Sequence, residues 1–211
     1  MNEQSSLKLT NFRCHNLGAI NLALMPGETI SISGDSGSGK SLLLRAIADL
    51  IPHQGECYLN GQRSDSIPAH EWRKRVAYFA AESQWWFDTI GEHFDLPLSI
   101  QLEKYLEAIG FSASSKLDNV LDWDVMRCST GERQRLAIIR LLANTPTVLL
   151  LDEPTANLDA ENTKRVETIF KTYQQDSNCS IIWVSHDIEQ RKRIASKQYQ
   201  IKNKALLEGK A

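Results

Sequence analysis

Cysteine is scarce and scattered in this chain. Its four cysteines, Cys14, Cys57, Cys128 and Cys179, form no Cys-x-x-Cys pair, which excludes a zinc ribbon or a disulfide-stapled scaffold and suits a reducing compartment. Long apolar runs are missing too: stretches such as Val148–Leu151 fall far short of the roughly 20 residues that a bilayer crossing needs. The opening Met1-Asn2-Glu3-Gln4-Ser5-Ser6 has no basic, apolar targeting signal. The expectation is a soluble, cytoplasmic chain with no direct membrane insertion, any membrane role coming through a partner. An excess of one charge is also absent. With 24 basic and 26 acidic residues, a net charge of -2 and a pI near 6.2, the chain offers no global basic field, and no nucleic-acid partner is expected. The clusters Arg133/Arg135/Arg140 and Arg191/Lys192/Arg193 read as solvated helix faces. There is no internal repeat and no low-complexity linker.

What is present centres on one stretch. Gly34-Asp35-Ser36-Gly37-Ser38-Gly39-Lys40-Ser41 fits the phosphate-cradling pattern of spaced glycines followed by Lys and Ser. Glycines there let the backbone turn its N–H groups toward a polyphosphate with no Cβ in the way. A helix starting near Lys40 adds the positive end of its dipole. Lys40 then serves as a point charge on β and γ phosphate oxygens, and the Ser41 hydroxyl as a Mg²⁺ ligand. The flanks agree with this reading. Glu28–Ser33 alternates polar and apolar residues as a strand does, and Leu42, Leu43, Leu44, Ala46, Ile47 and Leu50 form the apolar stripe of a helix packed on a sheet.

A chain of 211 residues is long enough to bury a real core, as one domain carrying at most a small extra lobe. Residues 7–33 read as short strands in a β layer. Asn60-Gly61 is a hairpin cue after the strand Glu56–Leu59, and Val76–Ala81 is a buried strand. Trp85, Trp86 and Phe87 follow directly. Three adjacent aromatics cannot all face one core, so at least one is exposed or lines a groove, with core packing as the competing reading. Leu102, Tyr105, Leu106 and Ile109 show helical spacing within a stretch broken by Pro97, Gly110 and Ser112–Ser115, which reads as a small helical lobe.

Three further stretches carry chemistry. Ser129, followed three residues on by Glu132, is a capping box opening a long helix, and equally a second helix N-terminus able to hold a phosphate. Thr147–Leu151 is a continuous apolar run that ends in Asp152-Glu153, as expected for a central parallel strand whose polar end faces a ligand. An acidic pair at a strand end is often just a helix cap, but beside a phosphate loop Asp152 reads as a Mg²⁺ partner, direct or through an intervening ligand, and Glu153 as the water-activating base. Ser180–Ser185 is another buried strand, followed by His186-Asp187. His186 either caps the next helix or joins the strand ends converging on one edge.

Together these residues resemble the ATP-binding cassette ATPases, the nucleotide-binding subunits of ABC transporters, over nearly the whole chain. The match rests on GDSGSGKS at 34–41, CSTGERQR at 128–135, LLLDEPTANLD at 149–159 and VSHD at 184–187, in that order. The resemblance implies an α/β phosphate-loop NTPase core with a mostly parallel sheet, an antiparallel β layer and a small inserted α-helical lobe. It would be a single domain over 1–211, with 1–84 and 146–211 as the nucleotide-binding core and 85–145 as the lobe. The implied cofactors are ATP and Mg²⁺. Gly34, Asp35, Ser36, Gly37, Ser38, Gly39, Lys40, Ser41 and Leu42 would hold the nucleotide in one subunit, and Ser129 and Gly131 of a head-to-tail partner would close on it. Glu153 would polarise the attacking water, His186 would contact the γ-phosphate, and Asp159 would communicate across the interface. The implied role is an ATPase subunit that powers a separate membrane permease, peripheral on the inner face of the cell membrane and a homodimer when ATP binds. Trp85, Trp86 and Phe87 stand where family members receive a short helix of that permease.

The chain departs from the family pattern at three places. The usual metal-binding Gln after the strand near Tyr78 falls on Ala81, with Glu82 and Gln84 as substitutes. The signature keeps Ser129 and Gly131 but has Thr130 and a charged Glu132. No aromatic that stacks on adenine stands out, Phe12 and His15 being the candidates. A soluble cassette ATPase acting on nucleic acid or the ribosome is the alternative function, but it usually needs a second cassette, a coiled-coil insertion or basic extensions. A small-molecule kinase on the same loop leaves Ser129, Asp152/Glu153 and His186 unexplained as a set.

Overall fold

The computed structural model describes residues 5–95, 97–111 and 119–209. Two compact units emerge: Met1–Ala80, Pro146–Pro154 and Gln174–Ala211 form the first, and Ala81–Thr145 with Thr155–Tyr173 the second. Thr155–Tyr173, expected with the core, packs with the second unit.

The first unit contains two sheets. Strands β1 (Leu7–Arg13), β2 (Ile20–Leu24), β4 (Gln54–Leu59) and β5 (Gln62–Arg63) form an antiparallel sheet in the order β2-β1-β4-β5. In β2 every second residue is buried, the mark of a sheet covered on one face. Asn60 and Gly61, with φ of 50° and 78°, make the tight hairpin between β4 and β5, since both positions of such a turn need positive φ.

The second sheet runs β10-β9-β3-β8-β7-β6. Strands β3 (Thr29–Gly34), β6 (Val76–Phe79), β7 (Val148–Asp152), β8 (Ser180–Val184) and β9 (Lys197–Lys202) are parallel, and β10 (Ala205–Glu208) is antiparallel on the edge. Every residue of β7 and β8 is buried, as a parallel sheet covered on both faces requires. The same applies to β3, the strand expected to feed the glycine loop: Thr29 through Ile32 are all buried. Helix α1 (Lys40–Ile47) packs Leu43, Leu44, Ala46 and Ile47 inward. Leu50, expected on that stripe, is 47% exposed because the helix stops at Ile47 and Asp49 takes φ 57°. Helices α2 (Ala69–Arg75) and α6 (Ile188–Ile194) complete this unit.

The second unit is helical. It holds α3 (Ile100–Ala108), α4 (Thr130–Ala143) and most of α5 (Ala160–Ser177). Tyr105, Leu106 and Ile109 are buried as their spacing predicts, and Tyr105 meets Tyr173 edge-on at 6.2 Å between ring centroids. The Ser112–Ser115 break lies outside the described residues. Helix α4 starts with a full capping box: Ser129 Oγ accepts from Glu132 N at 3.3 Å, while the Glu132 carboxylate accepts from Ser129 N at 2.8 Å and from its hydroxyl at 2.7 Å. Those two donors hold the Glu132 carboxyl below the usual carboxylate range. No helix among the described residues is long and apolar enough to cross a membrane.

Two substitutions test this architecture. Gly55 opens β4 at φ 82°, and a Cβ there would lie 2.2 Å from Asn11 O; Gly55→Ala should therefore cost about 2 kcal/mol or more, seen as a lower urea midpoint. Glu132→Gln should cost roughly 1 kcal/mol at neutral pH. A carboxyl whose pKa is lowered by folding stabilises above its unfolded pKa, and that stabilisation disappears as pH falls through the folded value. Wild-type and variant melting temperatures should thus converge in acid; a gap constant with pH would refute the charged cap.

Candidate nucleotide site

The site of the first unit grows from the turn between β3 and α1. Gly34 has φ 151°, and a Cβ there would sit 2.7 Å from Ser38 Oγ and 2.8 Å from Ile201 O. Gly39, the N-cap of α1, has φ 103° and packs on Leu17, which a Cβ would meet at 3.2 Å. Both positions therefore demand glycine. Between them Asp35, Ser36 and Gly37 are exposed, and the N–H groups of the first helical turn, at Lys40, Ser41 and Leu42, have no partner within the helix.

Lys40 is 7% exposed, and its ammonium donates to Gly34 O at 2.8 Å and Asp35 O at 3.0 Å. Burial pulls its pKa below the ordinary lysine value, against the opposing fields of Glu153, Asp152 and Asp35. The Ser38 hydroxyl is buried without a hydrogen-bond partner among the described residues. An open glycine turn, unpaired helix-start N–H groups, a lysine and a free hydroxyl fit a polyphosphate.

The ends of β7 and β8 lie beside this turn in the sheet. Glu153 follows β7 with φ 50°, its N–H donating to Val184 O at 3.1 Å. Its Oε1 is 2.9 Å from His186 Nε2. The helix-capping alternative for His186 falls away, because Asp187 caps α6 by accepting from Gln190 N at 3.1 Å. Asp152 is 5% exposed and accepts from the Tyr78 hydroxyl at 2.9 Å, a contact that sequence reading missed. Among the described residues no cluster of three or more His, Cys, Asp and Glu forms a metal cage. Ser41 and Asp152 offer only oxygen, the donor type Mg²⁺ takes when nucleotide phosphates and water complete its shell.

The other expected site residues belong to the second unit. Ser129 is exposed and bound into the capping box. The charge of Glu132, which the sequence placed near a phosphate, is folded back onto Ser129. Gly131 lies against Leu158, which a Cβ would meet at 3.4 Å. Next to Leu158, Asp159 accepts from Asn162 N and Nδ2, both at 2.8 Å; these bonds lower its pKa, with a smaller contribution from Arg135. Glu82 and Gln84 are exposed and Ala81 is half-buried.

The aromatic run divides. Trp86 is 64% and Phe87 50% exposed, Trp85 is half-buried, and all three surround His93 with centroids 4.8 to 5.1 Å away. The Arg140 guanidinium lies 4.4 Å from the Trp85 ring centroid and 4.6 Å from that of Trp86. As for adenine, Phe12 is fully buried and stacked on His53 at 4.6 Å, so its face is taken, whereas His15 is exposed at φ 53°.

The chain is similar to known proteins in sequence and in fold. The family model for ABC transporters matches residues 17–156. The probable iron export ATP-binding protein FetA of Escherichia coli is 34% identical over 175 residues, spanning 81% of this chain and 78% of that protein. The spermidine/putrescine import ATP-binding protein PotA of Legionella pneumophila is 32% identical over 181 residues, spanning 82% of this chain and 49% of that one. A dimeric ATP-binding cassette solved in a post-hydrolysis state with ADP and Pi has the same fold, with a TM-score of 0.80 at 24% identity over 97% of this chain and 98% of its own. With the family model covering most of the chain and a relative 34% identical over 175 residues, the chain belongs to the ABC transporter family.

Proposed function

We propose that the chain is the ATP-binding and ATP-hydrolysing subunit of an ABC transporter, powering a separate membrane permease through ATP-dependent pairing of two copies. The observation that carries this reading is the contact between Glu153 and His186 at 2.9 Å, on the sheet edge that also presents Lys40. Relatives named for iron export and for spermidine/putrescine import align over 81% and 82% of the chain. That supports a role common to both directions, the power stroke rather than the choice of cargo.

In this reading the loop N–H groups and Lys40 bind the β and γ phosphates. Ser41 and Asp152 are the oxygen ligands for Mg²⁺, which when bound would neutralise phosphate charge; Glu82 is a further candidate ligand. Glu153 takes the proton of the attacking water, and His186 fixes the carboxylate and reaches the γ-phosphate. A partner copy supplies Ser129 and Gly131 at the start of its α4, closing the site against water, while Asp159 links the two copies. Hydrolysis removes the bridging phosphate and loosens the pair. The subunit then works at the inner face of the cell membrane, held there by the permease, whose short helix docks on the aromatic surface of Trp86 and Phe87.

Glu153→Gln should keep nucleotide affinity while lowering phosphate release by about 10²-fold or more, and should leave an ATP-bound dimer visible by size-exclusion chromatography. Undiminished turnover would remove Glu153 from the role of base. Trp85→Ala combined with Trp86→Ala should preserve the ATPase rate of the isolated subunit and weaken its recovery with membranes containing the permease; loss of folding would favour the core-packing reading.

A further inference from the structure

Asp152 ends β7 as an almost fully buried carboxylate, and such a group needs its oxygens satisfied. One of them is. The Tyr78 hydroxyl, from β6, donates to Oδ2 at 2.9 Å and itself accepts from Arg45 Nε, on α1, at 3.3 Å. The Arg45 guanidinium also stands 5.9 Å from the centre of the Tyr78 ring. Donor and acceptor roles fit in only one direction: arginine has no acceptor and an ionised aspartate has no donor, so the phenol must pass the polarity from cation to anion. Bonds arranged in series polarise one another.

The geometry points to Tyr78, backed by Arg45, as the positioning residue that orients the Asp152 carboxylate for the metal accompanying the nucleotide. A terminal carboxylate torsion is broad and roughly two-fold, so Asp152 left alone would present either oxygen over a range of angles. With Oδ2 held by Tyr78, the plane of the carboxylate is set, and Oδ1, which has no hydrogen-bond partner among the described residues, is the oxygen left for a metal shell. Outer-shell partners of this kind are worth about 10- to 100-fold in metal affinity. The inference rests on the ATP-binding reading above.

The test uses the whole chain and Mn²⁺ as a spin-active stand-in for Mg²⁺, titrated in the presence of saturating non-hydrolysable ATP analogue and read by electron paramagnetic resonance. Binding of the analogue in EDTA is measured alongside. Tyr78→Phe keeps the ring and deletes the donor, and should weaken nucleotide-dependent Mn²⁺ binding about 10- to 100-fold while changing the affinity in EDTA less than about twofold. Arg45→Gln, at an exposed helix position, should weaken Mn²⁺ binding several-fold and serves if the phenylalanine variant folds poorly. Unchanged Mn²⁺ affinity in Tyr78→Phe, or an equal loss of metal-free nucleotide binding, overturns the assignment of Tyr78 alone. A wild-type chain that binds analogue but no Mn²⁺ also overturns it and leaves the phosphate loop standing, whereas one that binds no analogue overturns the ATP-binding reading as well.

Discussion

A lysine ammonium buried at the C-terminal edge of a parallel sheet is the interaction on which the first unit depends. Placing that charge at 7% exposure is costly unless it is paired and hydrogen-bonded. The fold offsets the cost with the Gly34 and Asp35 carbonyls and the fields of Glu153, Asp152 and Asp35. Desolvation still outweighs the carboxylates, since the pKa falls. The ammonium is thus under-compensated, and the edge favours additional negative charge next to Lys40. That imbalance is what a triphosphate would relieve.

Sheet register brings the other groups to the same place. Ile32 of β3 and Asp152 of β7 both pair with Val184 of β8, so the C-terminal ends of the three strands lie in register. The residues that follow, Gly34, Glu153 and His186, therefore emerge together from three distant parts of the chain. Crossover connections between parallel strands make this alignment possible, because each strand enters the sheet in the same direction and delivers its polar C-terminus to one edge.

Groups whose signal is local were legible in the sequence: the glycine turn, the capping box of Ser129 and Glu132, the Asn60-Gly61 hairpin, and the apolar run ending at Asp152. Each depends on spacing within a few residues. What depends on the fold was hidden. Tyr78 reads as one more aromatic in the strand Val76–Phe79, and its bond to Asp152 spans 74 residues. The alternation in β3 identified a strand but not its central place in the sheet between β8 and β9, nor the burial of Thr29 through Ile32. His186 and Asp187 are adjacent, and only the geometry assigns the cap to Asp187 and the carboxylate contact to His186. Leu50 failed for a different reason, since helical periodicity carries no information about where a helix stops.

Glu153 shows how much the fold gives up locally to keep that edge. A non-glycine residue at φ 50° costs roughly 1 to 2 kcal/mol, and glycine or asparagine would meet the turn at a lower cost. The strain persists because two contacts over-determine it: the Glu153 N–H to Val184 O at 3.1 Å and the carboxylate to His186 at 2.9 Å. Extended backbone at this position would continue β7 and carry the side chain along the sheet. The left-handed turn instead ends the strand at Asp152 and keeps two consecutive carboxylates at the edge with different partners, Tyr78 for the first and His186 for the second. One backbone angle thereby gives two consecutive carboxylates different partners, a local conflict that persists only because the surroundings over-determine it.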